Sequence, residues 1–165
     1  MSTKKLDKKA EKLLESYRKK KLKLVTAESC TGGLIAALLT DIPGSSDVLE
    51  RGFVTYSNQS KTDMLDVPSA LIKKHGAVSK EVAEAMARGA LKYSKADIAI
   101  AVTGIAGPTG GTKQKPVGLV YIATASRHYK DVVVVRNLFK GKRSAVRIKS
   151  ADKSLAILKK LQAFF

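Results

Sequence analysis

The chain is short of several things, and each shortage excludes something. It has one cysteine, Cys30, which cannot close an internal disulfide, so the expectation is an intracellular, reducing compartment and a cytoplasmic location. It has no tryptophan, four phenylalanines and five tyrosines, and no aromatic pattern of the kind that reads RNA. No apolar run approaches the ~18 residues that a membrane span needs, and the Lys-rich start has no apolar core of a signal peptide. The only histidines, His75 and His128, are far apart and no ligand spacing surrounds them, so neither a metal nor a cofactor is expected. Internal repeats, low-complexity tracts and long linkers are also missing. A single domain over residues 1–165 is the expectation.

Acidic residues are scarce as well: 14 Asp/Glu stand against 31 Lys/Arg, a net charge of +17. The surplus is not spread evenly. Residues 1–23 hold 10 basic and 3 acidic side chains, a surplus of 7, and residues 140–165 hold 8 and 1, again a surplus of 7. Both segments read as amphipathic helices, with Leu6, Ala10, Leu13, Leu14 and Tyr17 on one apolar stripe and Ile148, Leu155, Leu158 and Leu161 on the other. Lysines on the outer face of such helices are ordinary solvated surface. Any contact with nucleic acid is expected to be weak and blind to sequence.

Periodicity and turn residues predict helices over 4–20, 32–40, 60–65, 68–76, 80–93 and 142–162, and strands over 22–27, 53–56, 97–103, 117–124 and 132–138. Strands alternate with helices up to residue 103, which argues for parallel pairing. The polar stretch 126–130 joins the last two strands as an antiparallel hairpin. The predicted fold is a three-layer α/β/α sandwich with a mixed, mostly parallel sheet.

Four stretches carry chemistry. The first, Ala27-Glu28-Ser29-Cys30-Thr31-Gly32-Gly33, joins a buried strand to a helix. A hydroxyl at such a turn lies beside the free N–H groups of a helix start, which suit an anion, a helix cap or an oxyanion site. The second, Gly52 to Lys61, again runs from a strand into a polar turn and places Tyr56 and Lys61 at the strand's carboxyl end. The third, Thr103 to Gly111, has glycines at 104, 107, 110 and 111, which let main chain approach a ligand closely. The fourth opens the last helix, where Arg143 and Arg147 share a face and suit a phosphate.

Taken in order, these stretches resemble one family, the C-terminal domain of CinA, which also occurs as a stand-alone nicotinamide-nucleotide amidase. The resemblance also takes in His75-Gly76-Ala77-Val78-Ser79, Lys115-Pro116-Val117-Gly118 and Gly141-x-Arg143, and it covers about residues 20–150. The chain has no room for the N-terminal domain of full-length CinA, so the stand-alone form is the expectation. The resemblance implies metal-free hydrolysis of nicotinamide mononucleotide to nicotinic acid mononucleotide and ammonia, in pyridine-nucleotide salvage. It makes Ser29 the nucleophile and Lys61 its base. Tyr56 then meets the cationic ring or bonds the dyad, and Thr103 bonds the substrate or Lys61. Thr31, Gly32 and Gly33 are the expected oxyanion donors. Gly104, Ala106, Gly107, Gly110, Gly111 and Arg143 are expected to hold the phosphate and ribose. Glu28 orients the turn, and Cys30 is a rival nucleophile. Pro108-Thr109-Gly110-Gly111 departs from the family pattern, which commonly has an acidic residue or glycine after the proline. Expected partners are the nucleotide substrate and a second copy of the chain in a dimer. Two other readings remain open: a catalytically silent binding member of the same fold, and a basic nucleic-acid-associated protein.

Overall fold

The computed structural model describes residues 3–165. Five strands form one sheet: β1 (Leu24–Glu28), β2 (Leu49–Val54), β3 (Ile98–Gly104), β4 (Leu119–Ser126) and β5 (Val133–Leu138), in the spatial order β2-β1-β3-β4-β5. β1 lies parallel to β2 and to β3, and the pairs β3–β4 and β4–β5 are antiparallel. Four strands therefore share one direction and β4 alone is reversed, which is the mixed, mostly parallel sheet expected. Helices α1 (Thr3–Lys19), α2 (Leu34–Thr40) and α6 (Arg143–Leu161) cover one face. Helices α3 (Asn58–Leu65), α4 (Ser69–His75) and α5 (Lys80–Lys92) cover the other.

The two-residue alternation of the central strands builds the layers. Ile98, Ile100 and Val102 of β3 join Val120 and Ile122 of β4 beneath α1, α2 and α6. Ala99 and Ala101 join Ala123 and Ala125 on the opposite face, where small side chains let α5 settle close to the sheet. α5 is equally close to α3. A methyl group on Gly89 would lie 2.0 Å from the Leu65 carbonyl oxygen, well inside contact distance. α1 buries its apolar stripe and runs beside α6 in parallel. The Lys9–Asp152 ion pair, the Tyr17 hydroxyl donating to the Leu158 carbonyl at 3.0 Å, and the Ser16–Gln162 hydrogen bond follow one another along the seam.

The boundaries differ from the sequence reading where main-chain bonding overrules hydropathy. β2 starts at Leu49, four residues before the expected strand, and stops at Val54. It is an edge strand carrying Glu50 and Arg51, so its pattern is too polar to read as a strand. β4 starts at Leu119 because Gly118, at φ 91°, turns the chain and donates its N–H to the Ile105 carbonyl. α2 starts at Leu34, not at residue 32, because Gly32 and Gly33 both have positive φ.

The start of α2 is closed by Glu28, the last residue of β1. Its carboxylate is fully buried and accepts from the N–H groups of Ile35 at 3.0 Å and Ala36 at 2.9 Å. Neither Ser29 nor Thr31 caps this helix. The free helix N-terminus that the sequence suggests beside Ser29 is therefore already occupied by the protein's own anion. A buried carboxylate requires such donors, and the helix requires an acceptor, so each satisfies the other. Glu28→Ala should cost about 2–4 kcal/mol, because it leaves one buried and one half-buried N–H group without a partner. Urea denaturation should show a lower midpoint with an unchanged slope.

Candidate active site

β1 and β2 deliver two short turns to the same edge of the sheet. Ser29 leaves β1 with its N–H bound to the Val102 carbonyl of β3 at 2.9 Å. One strand away, the Thr55 N–H extends the pairing by bonding to the Glu28 carbonyl at 2.8 Å. The Ser57 hydroxyl then accepts from the Ser60 N–H and starts α3. One turn into that helix, Lys61 reaches back toward Ser29.

The Lys61 side chain is buried, at 1% exposure, which is unusual for lysine. Its Nζ donates to the Ser29 hydroxyl at 3.0 Å and to the Thr55 carbonyl at 2.8 Å. The carbonyls of Tyr56 and Ser57 lie at 3.4 and 3.3 Å. Burial lowers the lysine's pKa from its usual value, because the charged form loses its hydration. In the neutral state two N–H bonds can stay on carbonyls while the lone pair faces the Ser29 O–H. A buried lysine next to a serine hydroxyl can therefore act as its base. The neighbouring thiol is in the opposite condition. Burial pushes Cys30 up to about 12, so it stays protonated near neutrality.

The dyad opens into a cavity of about 260 Å³ at the carboxyl end of β1 and β3. Ser29, Lys61, Tyr56, Thr103 and Arg143 all line it, as do Gly104, Ala106, Gly107 and Gly110. The Thr103 hydroxyl donates to the Ala77 carbonyl at 2.8 Å, not to Lys61, which leaves its lone pairs for a ligand. The Tyr56 ring is 59% exposed at the rim. Its hydroxyl accepts from Arg143 Nη2 at 2.6 Å, while Arg143 Nη1 donates to the Gly107 carbonyl at 3.0 Å. Arg143 thus bridges the two walls and retains three of its five N–H donors. The lining contains two basic side chains, Lys61 and Arg143, and no carboxylate.

Several expected residues stand elsewhere. Thr31, Gly32 and Gly33 do not line the cavity, and the Gly32 N–H is taken by the Ser29 carbonyl at 3.0 Å. They shape the turn behind Ser29. Arg147 does not join Arg143. It donates to the Thr31 carbonyl at 2.8 Å and braces that turn against α6. Gly111 is outside the lining, where its main chain packs against Val117. Asn58, Ala77 and Val78 line the cavity but were not among the candidates, whereas Ile105 and Thr109 belong to the glycine-bearing stretch already singled out. Asn58 had a sequence signal, as the polar residue following the Ser57 cap. The apolar members had none, because nothing local distinguishes a cavity wall from a core. Among the described residues no three His, Cys, Asp or Glu side chains come together, and no helix is long and apolar enough to cross a membrane.

Comparison with known proteins agrees with this architecture. The family model described as the CinA C-terminal domain matches residues 6–162. A CinA-like protein of Desulfotalea psychrophila is 54% identical over 142 residues, covering 86% of this chain and 34% of the relative. The chain spans about a third of the length of the curated relatives it matches. Two solved structures share the fold at nearly full length. The competence/damage inducible protein CihA from Agrobacterium tumefaciens has a TM-score of 0.92 at 44% identity, covering 94% of each chain. A CinA superfamily protein from Klebsiella pneumoniae has a TM-score of 0.91 at 32% identity, covering 100% of each. With the family model matched along almost its whole length, this chain belongs to the CinA C-terminal domain family.

Proposed function

We propose that the protein hydrolyses the carboxamide of nicotinamide mononucleotide, giving nicotinic acid mononucleotide and ammonia. The observation that carries this reading is the buried Lys61 nitrogen 3.0 Å from the Ser29 hydroxyl at the floor of a cavity. Neutral Lys61 takes the proton as Ser29 Oγ attacks the carboxamide carbon. The resulting ammonium returns a proton to the amide nitrogen, the C–N bond breaks, and ammonia leaves an acyl ester on Ser29. Water, deprotonated by the same amine, then releases the carboxylate and restores the serine.

The tetrahedral oxyanion needs a main-chain donor. The N–H of Cys30 is the best candidate. It belongs to the residue after the nucleophile, on the cavity wall, and among the described residues it has no acceptor. Thr103 accepts from the amide NH2, and the exposed Tyr56 ring faces the pyridinium as a cation–π partner. The free donors of Arg143, with the main chain of Gly104 to Gly110, hold the phosphate. A phosphate suits a site whose charged group is Arg143 and which has no carboxylate of its own, and the cationic ring is left to the Tyr56 π face.

Ser29→Ala and Lys61→Ala should each lower kcat by roughly 10³-fold or more, and the double variant should be little worse than either single one. Cys30→Ala should retain turnover, and its loss in steady-state kinetics would move the nucleophile to the thiol.

The lowered pKa of Lys61 sets the sign of the pH dependence. Below it the ammonium has no lone pair, so kcat/KM should rise with pH through a midpoint under the usual lysine value and then level off. Lys61→Arg, which stays charged, should be inactive across the whole profile.

Arg143→Ala should raise KM for the mononucleotide by roughly tenfold to a hundredfold, the equivalent of a lost charged hydrogen bond of ~1.5–3 kcal/mol. Assay of the phosphate-free riboside should show a smaller change. Equal effects on both would remove Arg143 from phosphate recognition.

A further inference from the structure

The fold joins two basic segments that lie at opposite ends of the sequence. α1 and α6 carry most of the two terminal charge surpluses, and they run side by side along the seam of Lys9–Asp152 and Tyr17–Leu158. A crevice of about 110 Å³ between them is lined by Lys9, Lys12 and Lys159 above Leu155 and Ala156. Lys5 and Lys12 on α1 and Lys159 on α6 are exposed along this surface, and the exposed Lys153 and Lys160 continue the basic surface over the side of α6 that faces β5.

Acidic side chains leave the surface unneutralised. Asp152 is the only acid in α6, and Lys9 already pairs with it. Asp7, Glu11 and Glu15 recur every four residues on α1 and form a stripe of their own, of which only Glu15, three residues from Lys12, borders the basic surface. Packing like charges on adjacent helices raises the local potential, and that cost is recovered when an anionic polymer displaces the condensed counterions.

We propose that the α1–α6 face is a binding surface for the phosphate backbone of nucleic acid. A lipid bilayer fits less well. A helix that lies in a membrane inserts an apolar face, and that of α1 is fully taken up by the core. The surface is also separate from the cavity. α6 begins at Arg143 on the cavity wall, and Lys153 and Lys160 lie about 15 and 25 Å further along its axis. Nothing in this proposal depends on the amidase reading.

Fluorescence anisotropy with a labelled oligo(dT) and a labelled duplex, titrated from about 50 to 300 mM salt, tests the proposal and separates single-stranded from double-stranded targets. Binding in the micromolar range is expected at the low end, with log K falling linearly against log salt and no dependence on sequence. Changing Lys5, Lys12, Lys153, Lys159 and Lys160 together to Gln should weaken binding at least ~10-fold and reduce the salt slope by about 3–4. A control with the same loss of charge elsewhere, Lys73, Lys74, Lys80, Lys95 and Lys113 to Gln, should bind close to wild type. Lysine acetylation footprinting on the unaltered protein avoids reliance on a heavily substituted variant. Oligo(dT) should protect the five α1–α6 lysines and not the five control lysines. The proposal is overturned by absence of binding at about 50 mM salt, by equal losses in the two variants, by uniform protection, or by capture on phosphatidylserine vesicles with no nucleic-acid binding.

Discussion

A lysine nitrogen withdrawn from water is the constraint around which this molecule is arranged. Burying an ammonium without partners costs several kcal/mol, and here the main chain supplies the partners. The carbonyls of Thr55, Tyr56 and Ser57 curl around Lys61 Nζ because the chain leaves β2, turns once and enters α3. The same turn that carries the lysine therefore also solvates it. Those carbonyls are fixed dipoles, so they hold the amine in place in either protonation state, while burial shifts the balance toward the neutral one. Stability and reactivity meet at a single atom, where the charge that the fold tolerates poorly is the one a base must shed.

Glu28 performs the complementary task one strand away. Its carboxylate holds α2 at the end of β1, and the Ser29 turn is confined between that cap and the brace from Arg147 to Thr31. The positive end of a helix often serves to receive a ligand. Here it is closed by the protein, and the guanidinium that faces the cavity is that of Arg143, beside the glycine-bearing loop. The cavity is thus built from four loops, three of them anchored to the sheet by main-chain bonds and the Ala77 loop by the Thr103 hydroxyl, and a single arginine joins two of them.

How much of this could be read in the sequence follows from where the information lies. The layer order and the direction of the sheet were legible, because Ile98 to Val102 alternates large and small side chains and the polar stretch before β5 is too short for a crossover. That Ser29, Lys61, Thr103 and Arg143 would line one cavity was legible too, since each lies at or shortly beyond the end of a strand. β2 was displaced because edge strands tolerate charge, and Glu50 and Arg51 concealed its pattern. Thr31, Gly32 and Gly33, expected as oxyanion donors, stand outside the cavity lining for a different reason. A tight turn between strand and helix is recognisable from its glycines, but which way its N–H groups face is decided by the fold of the turn, where the Gly32 N–H bonds back to the Ser29 carbonyl while Glu28 bonds beyond it, at Ile35 and Ala36. Arg147 could not be separated from Arg143 by spacing, since one helix face passes both the cavity and the turn behind it.

Gly89 gives the packing a mechanical meaning. The missing side chain on α5 lets the Leu65 carbonyl approach to a separation that no other residue permits, and Leu65 lies one helical turn beyond Lys61. The depth of the lysine is thereby gauged by a position on a different helix that touches neither the cavity nor the serine. α3 behaves as a plunger whose stop is the bare backbone of its neighbour. Added volume at that stop would withdraw the amine from the hydroxyl while every residue of the cavity kept its identity.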